Sequence, residues 1–155
     1  MHLQFYSDED FALIKHYEIS SDQLNFTGNP LEAIKLAKED GDRHPVLVME
    51  GSELVSFFVL HKNNGVKEFS ATENAILLRT FSTDYRHLQK GYAKKALQLL
   101  PQFIRTYFPR IQSIVLAVNY NNTIAQSLYE KGGYMDEGER KQGRNGELII
   151  MRYKL

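Results

Sequence analysis

The sequence predicts a mixed α/β domain in which one sheet is covered by helices, and three observations carry that reading. Strand-like apolar runs and stretches of helical spacing follow one another in the order β-α-α-β-β-β-α-β-α-β-β. The run from Ala75 to Phe81 is apolar almost throughout, as a central strand buried on both faces requires. A short basic turn then leads into a helix with apolar residues at Ala93, Ala96, Leu97, Leu100, Ile104 and Tyr107. The chain of 155 residues is expected to form a single domain, residues 1–155, and is long enough for a proper core.

Each element has a local cause. Leu3 to Tyr6 reads as a short strand. Ser7 caps a helix that carries Asp8, Glu9 and Asp10 in its first turn, with Phe11, Leu13, Ile14 and Tyr17 as apolar positions. Ser20 to Pro30 is polar and turn-rich. A second helix follows Pro30 through Leu31, Ile34, Leu36 and Ala37, and stops at Asp40-Gly41-Asp42. Pro45 to Met49 and Leu54 to Leu60 form a hairpin around Glu50-Gly51-Ser52-Glu53, and Asn63-Asn64-Gly65 is a turn. Pro101 falls inside the helix that runs from Gly91 to Phe108, which predicts a kink or a break near Leu100. Ser113 to Val118 is a strand and Thr123 to Lys131 a helix, stopped by Gly132-Gly133. Tyr134 to Glu137 and Leu148 to Tyr153 close the chain as strands, with Arg140 to Gly146 as a polar loop.

Composition narrows the function. Lys plus Arg and Asp plus Glu number 19 each, so no global field favours nucleic acid or an anionic membrane. Cysteine is absent, which excludes disulfides, cysteine nucleophiles and thiolate metal sites and suits a cytoplasmic setting. Met1-His2-Leu3-Gln4 followed by Asp8-Glu9-Asp10 does not read as a signal peptide, and no run is long enough to span a bilayer, so neither a leader nor a membrane segment is expected. The five histidines, at 2, 16, 44, 61 and 87, stand at no metal-ligand spacing, so no metal is expected.

The turn Arg86-His87-Leu88-Gln89-Lys90-Gly91-Tyr92-Ala93-Lys94-Lys95 carries the chemistry. The first N–H groups of a helix lack internal partners and sit at the positive end of its dipole. Gly91 and Ala93 let a ligand approach that backbone, and basic residues at 86, 90, 94 and 95 surround it, an arrangement suited to a phosphate or pyrophosphate. The P-loop pattern GxxxxGK[ST] is absent and the dinucleotide pattern GxGxxG fails after Gly91. The segment resembles the pyrophosphate-binding motif of the GCN5-related N-acetyltransferases (GNAT), Q/R-x-x-G-x-G/A. It departs from that motif at Leu88, which stands at the Gln/Arg position, with Gln89 one place later.

A second segment is similar to the same family's later motif, N-x-x-A-x-x-L-Y-x-x-x-G-F/Y, matched at Asn122, Ala125, Leu128, Tyr129, Gly133 and Tyr134. The resemblance spans Ala75 to Tyr134. It implies the GNAT fold, a mostly antiparallel central sheet flanked by helices, and an N-acetyltransferase that uses acetyl-CoA and no metal. By the same resemblance, the pantetheine arm pairs with the backbone at Phe81, Ser82 and Thr83, and the pyrophosphate rests on Gln89, Lys90, Gly91, Tyr92, Ala93 and Lys94. A backbone N–H near Phe81 meets the thioester oxygen, Asn122 bonds the pantetheine arm, and Tyr129 is the general acid beside the sulfur.

Acetyl transfer to an amine also needs a neutral nucleophile, for which Glu73, Asp84 and Glu139 are candidate bases. The expected acceptor is a small-molecule amine or polyamine ahead of a protein N-terminus or lysine. Acidic residues between Asp8 and Asp42 favour a polyamine, while Arg140, Lys141 and Arg144 argue the other way. Dimerisation, common in the family, has no residue to indicate it. The alternative is a non-catalytic acyl-CoA-binding module on the same fold, hinted at by Leu88. Phosphoryl transfer is a third reading, weakened by the missing P-loop.

Overall fold

A computed structural model describes residues 1–155. Its centre is a seven-stranded sheet in the order β1-β2-β3-β4-β5-β7-β6, built from β1 (His2–Phe5), β2 (Arg43–Glu50), β3 (Glu53–His61), β4 (Ala75–Thr83), β5 (Ser113–Asn119), β6 (Met135–Gly143) and β7 (Gly146–Lys154). Every neighbouring pair is antiparallel except β4 and β5, which run parallel.

The helices divide between the two faces. One face is packed by α5 (Tyr92–Tyr107) and α6 (Thr123–Lys131), over a core that includes Val48, Phe58, Leu78, Leu97, Ile104, Leu116 and Met151. The other carries α1 (Phe11–His16), α2 (Ser21–Leu24) and α3 (Pro30–Glu39), with α4 (Asn64–Lys67) further along. Two separate apolar clusters lie there. Ile14, Ile34, Leu47, Phe57 and Val59 form one; Val66, Leu77, Val115 and Ile150 form the other.

Several elements differ from expectation for identifiable reasons. The first helix is split, because Asp8–Asp10 winds as a 3-10 turn whose Asp10 carboxylate accepts from the Ser7 N–H, and α1 begins only at Phe11. The polar stretch after Ser20 contains α2, where Ser20 and Gln23 bond each other's backbone N–H groups. No break follows Leu100. The proline deletes one backbone bond, but Ala96, Leu97, Leu100, Phe103 and Ile104 are all buried and hold both halves of α5 on the sheet. The expected loop from Arg140 is mostly strand: β6 and β7 pair out to Gly143 and Gly146. An irregularity between Asp136 and Arg140, with Gly138 at φ +94, interrupts the alternation there that would have marked a strand.

Candidate active site

The parallel pairing of β4 with β5 covers only Ala75, Ile76 and Leu77 against Ser113, Ile114 and Val115. Beyond Leu77, β4 stays on β3 and β5 stays on β7. The sheet therefore opens into a wedge, lined by backbone groups that no neighbouring strand satisfies. The burial of β4 registers the change: Ala75 to Leu78 are buried, whereas Arg79 to Phe81 are only partly so.

A bulge sharpens the opening. Phe57 pairs with Ser82 and Val59 with Arg79, so Thr80 and Phe81 together oppose Phe58. Thr80 sits at φ +55, a strained conformation for a β-branched residue. The Asp84 N–H donates to Val55 O. By alternation, Phe81 and Thr83 turn their backbone groups into the wedge, while Ser82 faces β3. The Thr83 carbonyl already accepts from Gln23 Nε2 at 2.7 Å, and the Ser82 hydroxyl bonds Tyr17 Oη at 2.8 Å. Burial pushes the Tyr17 phenol well above its ordinary pKa, the Ser82 bond opposes that, and Asp84 adds to it. Sequence reasoning missed Gln23, Tyr17 and Thr80. A helical tyrosine and a turn glutamine carry no local signal, and nothing in an apolar strand marks the residue that turns left-handed.

Tyr129 reaches the wedge from α6. Its ring lies 6.4 Å from that of Phe81 and 5.8 Å from that of Tyr134. The side chain is partly buried, and the hydroxyl has no partner in the chain yet is not sealed from solvent. Burial alone raises its pKa well above 10, so the phenol keeps its proton at neutral pH. Asn122 is the N-cap of α6, and its Oδ1 accepts from Ala125 N at 3.2 Å. Its side-chain amide N–H groups are the part left for a ligand.

The turn into α5 has the form an anion requires. Gln89 and Gly91 are both left-handed, at φ +62 and +81. The first internal bond runs from Lys95 N to Gly91 O, and no side chain caps the helix. The N–H groups of Leu88 to Lys94 thus make no hydrogen bond in the chain, and a Cβ on Gly91 would meet only open space. Lys90 and Lys94 stand exposed beside these amides, while the Tyr92 ring packs edge-on against His87 at 5.9 Å. Leu88 is exposed and extended, so a leucine there blocks none of the backbone donors. Between α5 and α6 lies a cavity of about 510 Å³ lined by Lys94, Thr123, Ile124, Ser127, Leu128 and Lys131.

Four expectations need correction. Arg86 does not join the cationic cluster: it grips Asp84 at 2.8 Å and donates to His16 O. Asp84 is fully buried, and although burial favours its neutral form, bonds from the Arg86 side chain and the Glu18 and Arg86 N–H groups hold its pKa below the usual carboxylate value. It ties α1 to the phosphate turn and is unsuited to act as a base. Glu73 is exposed eight residues ahead of Phe81, roughly 25 Å of extended chain. Glu139 lies on β6, beyond β7 from the wedge. No group of three or more His, Asp or Glu side chains is placed to hold a metal ion. No helix is long and apolar enough to cross a membrane.

Comparison with known proteins agrees with this geometry. The model of the acetyltransferase (GNAT) family matches residues 5–134. A Bacillus subtilis (strain 168) protein described as the uncharacterized N-acetyltransferase YbbJ is 38% identical over 154 residues, covering 99% of this chain and 96% of its own. Among solved structures, AAC(6')-Ib in complex with paromomycin and acetyl-CoA superposes with a TM-score of 0.78 at 16% identity, covering 98% of this chain and 92% of that one. A spermidine N-acetyltransferase SpeG chimera from Vibrio cholerae and hSSAT has a TM-score of 0.72 at 18% identity, over 99% and 96%. The ribosomal-protein-S18-alanine N-acetyltransferase of Escherichia coli has a TM-score of 0.69 at 15% identity, over 99% and 92%. These last likenesses establish the fold. With the family's model covering most of its length and a relative matched from end to end, the chain belongs to the acetyltransferase (GNAT) family and is an acetyl-CoA-dependent N-acetyltransferase.

Proposed function

We propose that residues 1–155 act as one domain that transfers an acetyl group directly from acetyl-CoA to a primary amine on a small molecule, within a ternary complex. The observation that carries this reading is the alignment of three features along one edge of β4. These are seven unpaired amides at the mouth of α5, a wedge with open backbone groups at Phe81, and a free phenol at Tyr129.

The residues divide the work. The amides of Gln89 to Lys94 hold the pyrophosphate, reinforced by the helix dipole and by Lys90 and Lys94. Lys94 and Lys131 flank the cavity between α5 and α6, where the nucleotide end fits. Acetyl-CoA supplies the acyl thioester. Phe81 and Thr83 align its arm with their backbone groups, and the Phe81 N–H donates to the oxygen that becomes negative as the amine attacks. Asn122 donates to the arm from the opposite wall, and Tyr129 gives its proton to the departing sulfur.

Magnitudes set how Tyr129 works. An ordinary phenol is already a weaker acid than a thiol, by about 1.5 pKa units or 2 kcal/mol, and burial widens that gap. Tyr129 therefore acts in concert, passing its proton to sulfur while it takes up, through water, the proton the attacking amine gives off. Because no carboxylate in the wedge serves as base, the amine must arrive neutral. An alkylamine is about one part in 2,500 neutral at pH 7. A compact acceptor is favoured because Asn145, in the β6–β7 turn, donates to Asn25 O at 2.9 Å while its own carbonyl accepts from Asn119 Nδ2 at 3.1 Å. That bridge spans the open end of the wedge.

Calorimetry with acetyl-CoA, paired with thiol release over an amine panel, tests the proposal. Binding with turnover on a small amine is expected. Tight binding without turnover on any amine would favour the non-catalytic module instead.

A further inference from the structure

Arg79 is the one partly buried arginine without a carboxylate partner. Arg43, Arg86, Arg140 and Arg152 each have a carboxylate within 3.2 Å, and Arg105, Arg110 and Arg144 lie exposed. Its place is specific. It stands one residue ahead of the Thr80 bulge and opposite Val59, so it projects on the face that carries α1 to α4. There it falls between the two apolar clusters, with Val59 in one and Leu77 in the other. Tyr129 and α5 occupy the opposite face, which leaves this one for the acceptor.

The guanidinium is held in place. Its Nη1 donates to His61 Nδ1 at 3.1 Å, which assigns the His61 proton to Nε2, 3.3 Å from Asp40. Burial, with Arg43 and Arg79 nearby, lowers the His61 pKa and keeps the ring neutral. The ring is clamped by Gly65, where any Cβ would collide with it. The remaining Arg79 donors have no partner in the chain and are not sealed from solvent. Phe69 lies beneath, its ring centroid 5.9 Å from the guanidinium carbon, and Lys141 stands over the same ring at 4.6 Å. The nearby acid, Glu68, is engaged by Lys141 at 3.8 Å. Two cations thus face one carboxylate.

We propose that the open fork of Arg79, oriented by Asp40 and His61 and seconded by Lys141, binds a carboxylate of the acceptor, so that the substrate is an amine bearing an acidic group. The inference rests on the transferase reading above and narrows it. A planar fork pairs with a carboxylate through two parallel charge-assisted bonds. Arg79 stands two residues ahead of Phe81, and its guanidinium reaches back to His61, which pairs with Leu77, so an ω-amino acid with several carbons between its ends is needed to span anion site and thioester. A polyamine or aminoglycoside would bring positive charge against Arg79 and Lys141.

The test uses ω-amino compounds of graded length that end in a carboxylate, a carboxamide or a second ammonium. Wild-type protein is expected to give a kcat/KM at least about tenfold higher for the carboxylate than for either counterpart of the same length, the size of one lost charge-assisted pair. Arg79→Gln should bring that ratio to within about twofold of one, with acetyl-CoA affinity unchanged, and Arg79→Lys should restore part of it. Preference for the ammonium or amide compounds, or an unchanged ratio in Arg79→Gln, would overturn the carboxylate site. Failure of wild-type protein to bind acetyl-CoA, or binding with no turnover on any compound, would instead strike the transferase reading itself.

Discussion

At the scale of single residues, the account turns on two side chains whose roles differ sharply. Tyr129 has a free hydroxyl at the wedge, and Tyr129→Phe removes only that oxygen. Turnover should fall by about a hundredfold, the low end for a positioned general acid, while acetyl-CoA affinity in calorimetry stays unchanged. The pH profile follows from the same burial. With its pKa raised above 10, Tyr129 stays protonated across the neutral and mildly alkaline range. Therefore kcat/KM should climb from pH 7 to 9 as the amine loses its proton. An alkaline fall in that range would contradict the assignment. Asp84 is the structural counterpart. Its folded pKa is depressed, so its contribution to stability is present above the unfolded value near 3.9 and is lost as pH drops below it. Asp84→Asn should cost about 2 kcal/mol in urea unfolding at pH 7, and much less at pH 3.

At the scale of elements, the turn into α5 concentrates function in backbone. Gly91→Ala places a Cβ at φ +81 where nothing in the chain obstructs it, so only the left-handed strain, about 1 kcal/mol, falls on stability. The same methyl projects into the anion's space and should weaken acetyl-CoA at least about tenfold, and Gly91→Glu should abolish binding. Normal affinity in Gly91→Glu would remove the turn from the site. Pro101 tests α5 as a whole. Pro101→Ala restores one N–H to an intact helix and should raise stability by about 1–3 kcal/mol, measured by urea unfolding. A loss would mean that the ring's packing outweighs the missing bond.

These elements also show what was readable from residue order. The strand–turn–helix around Gly91 was legible because glycine, basic residues and a sharp change of hydrophobic period coincide there. The hairpin of β6 and β7 was only half legible, since β6 is an exposed edge strand whose charged residues mimic a loop. The bulge at Thr80 and the bridge from Asn145 to Asn25 left no trace, because both arise from pairings between distant segments. Cationic character near Gly91 was misleading at Arg86, whose partner Asp84 is two residues away in sequence and decided the matter through burial.

At the scale of the molecule, the parallel contact between β4 and β5 ends after three residue pairs, and the site follows from that early parting. In the proposed arrangement, one face would receive the nucleotide along α5 and α6, the other the acceptor beneath α1 to α4, with β4 as the wall they share. The claim beneath this arrangement is that the bare amides of Leu88 to Lys94 are vacant for a diphosphate. Amide NMR during titration with coenzyme A addresses it residue by residue. The account predicts that the largest shifts fall on Gln89 to Lys94, joined by Phe81 and Thr83. Saturable binding that leaves those amides unmoved and perturbs another surface would contradict it.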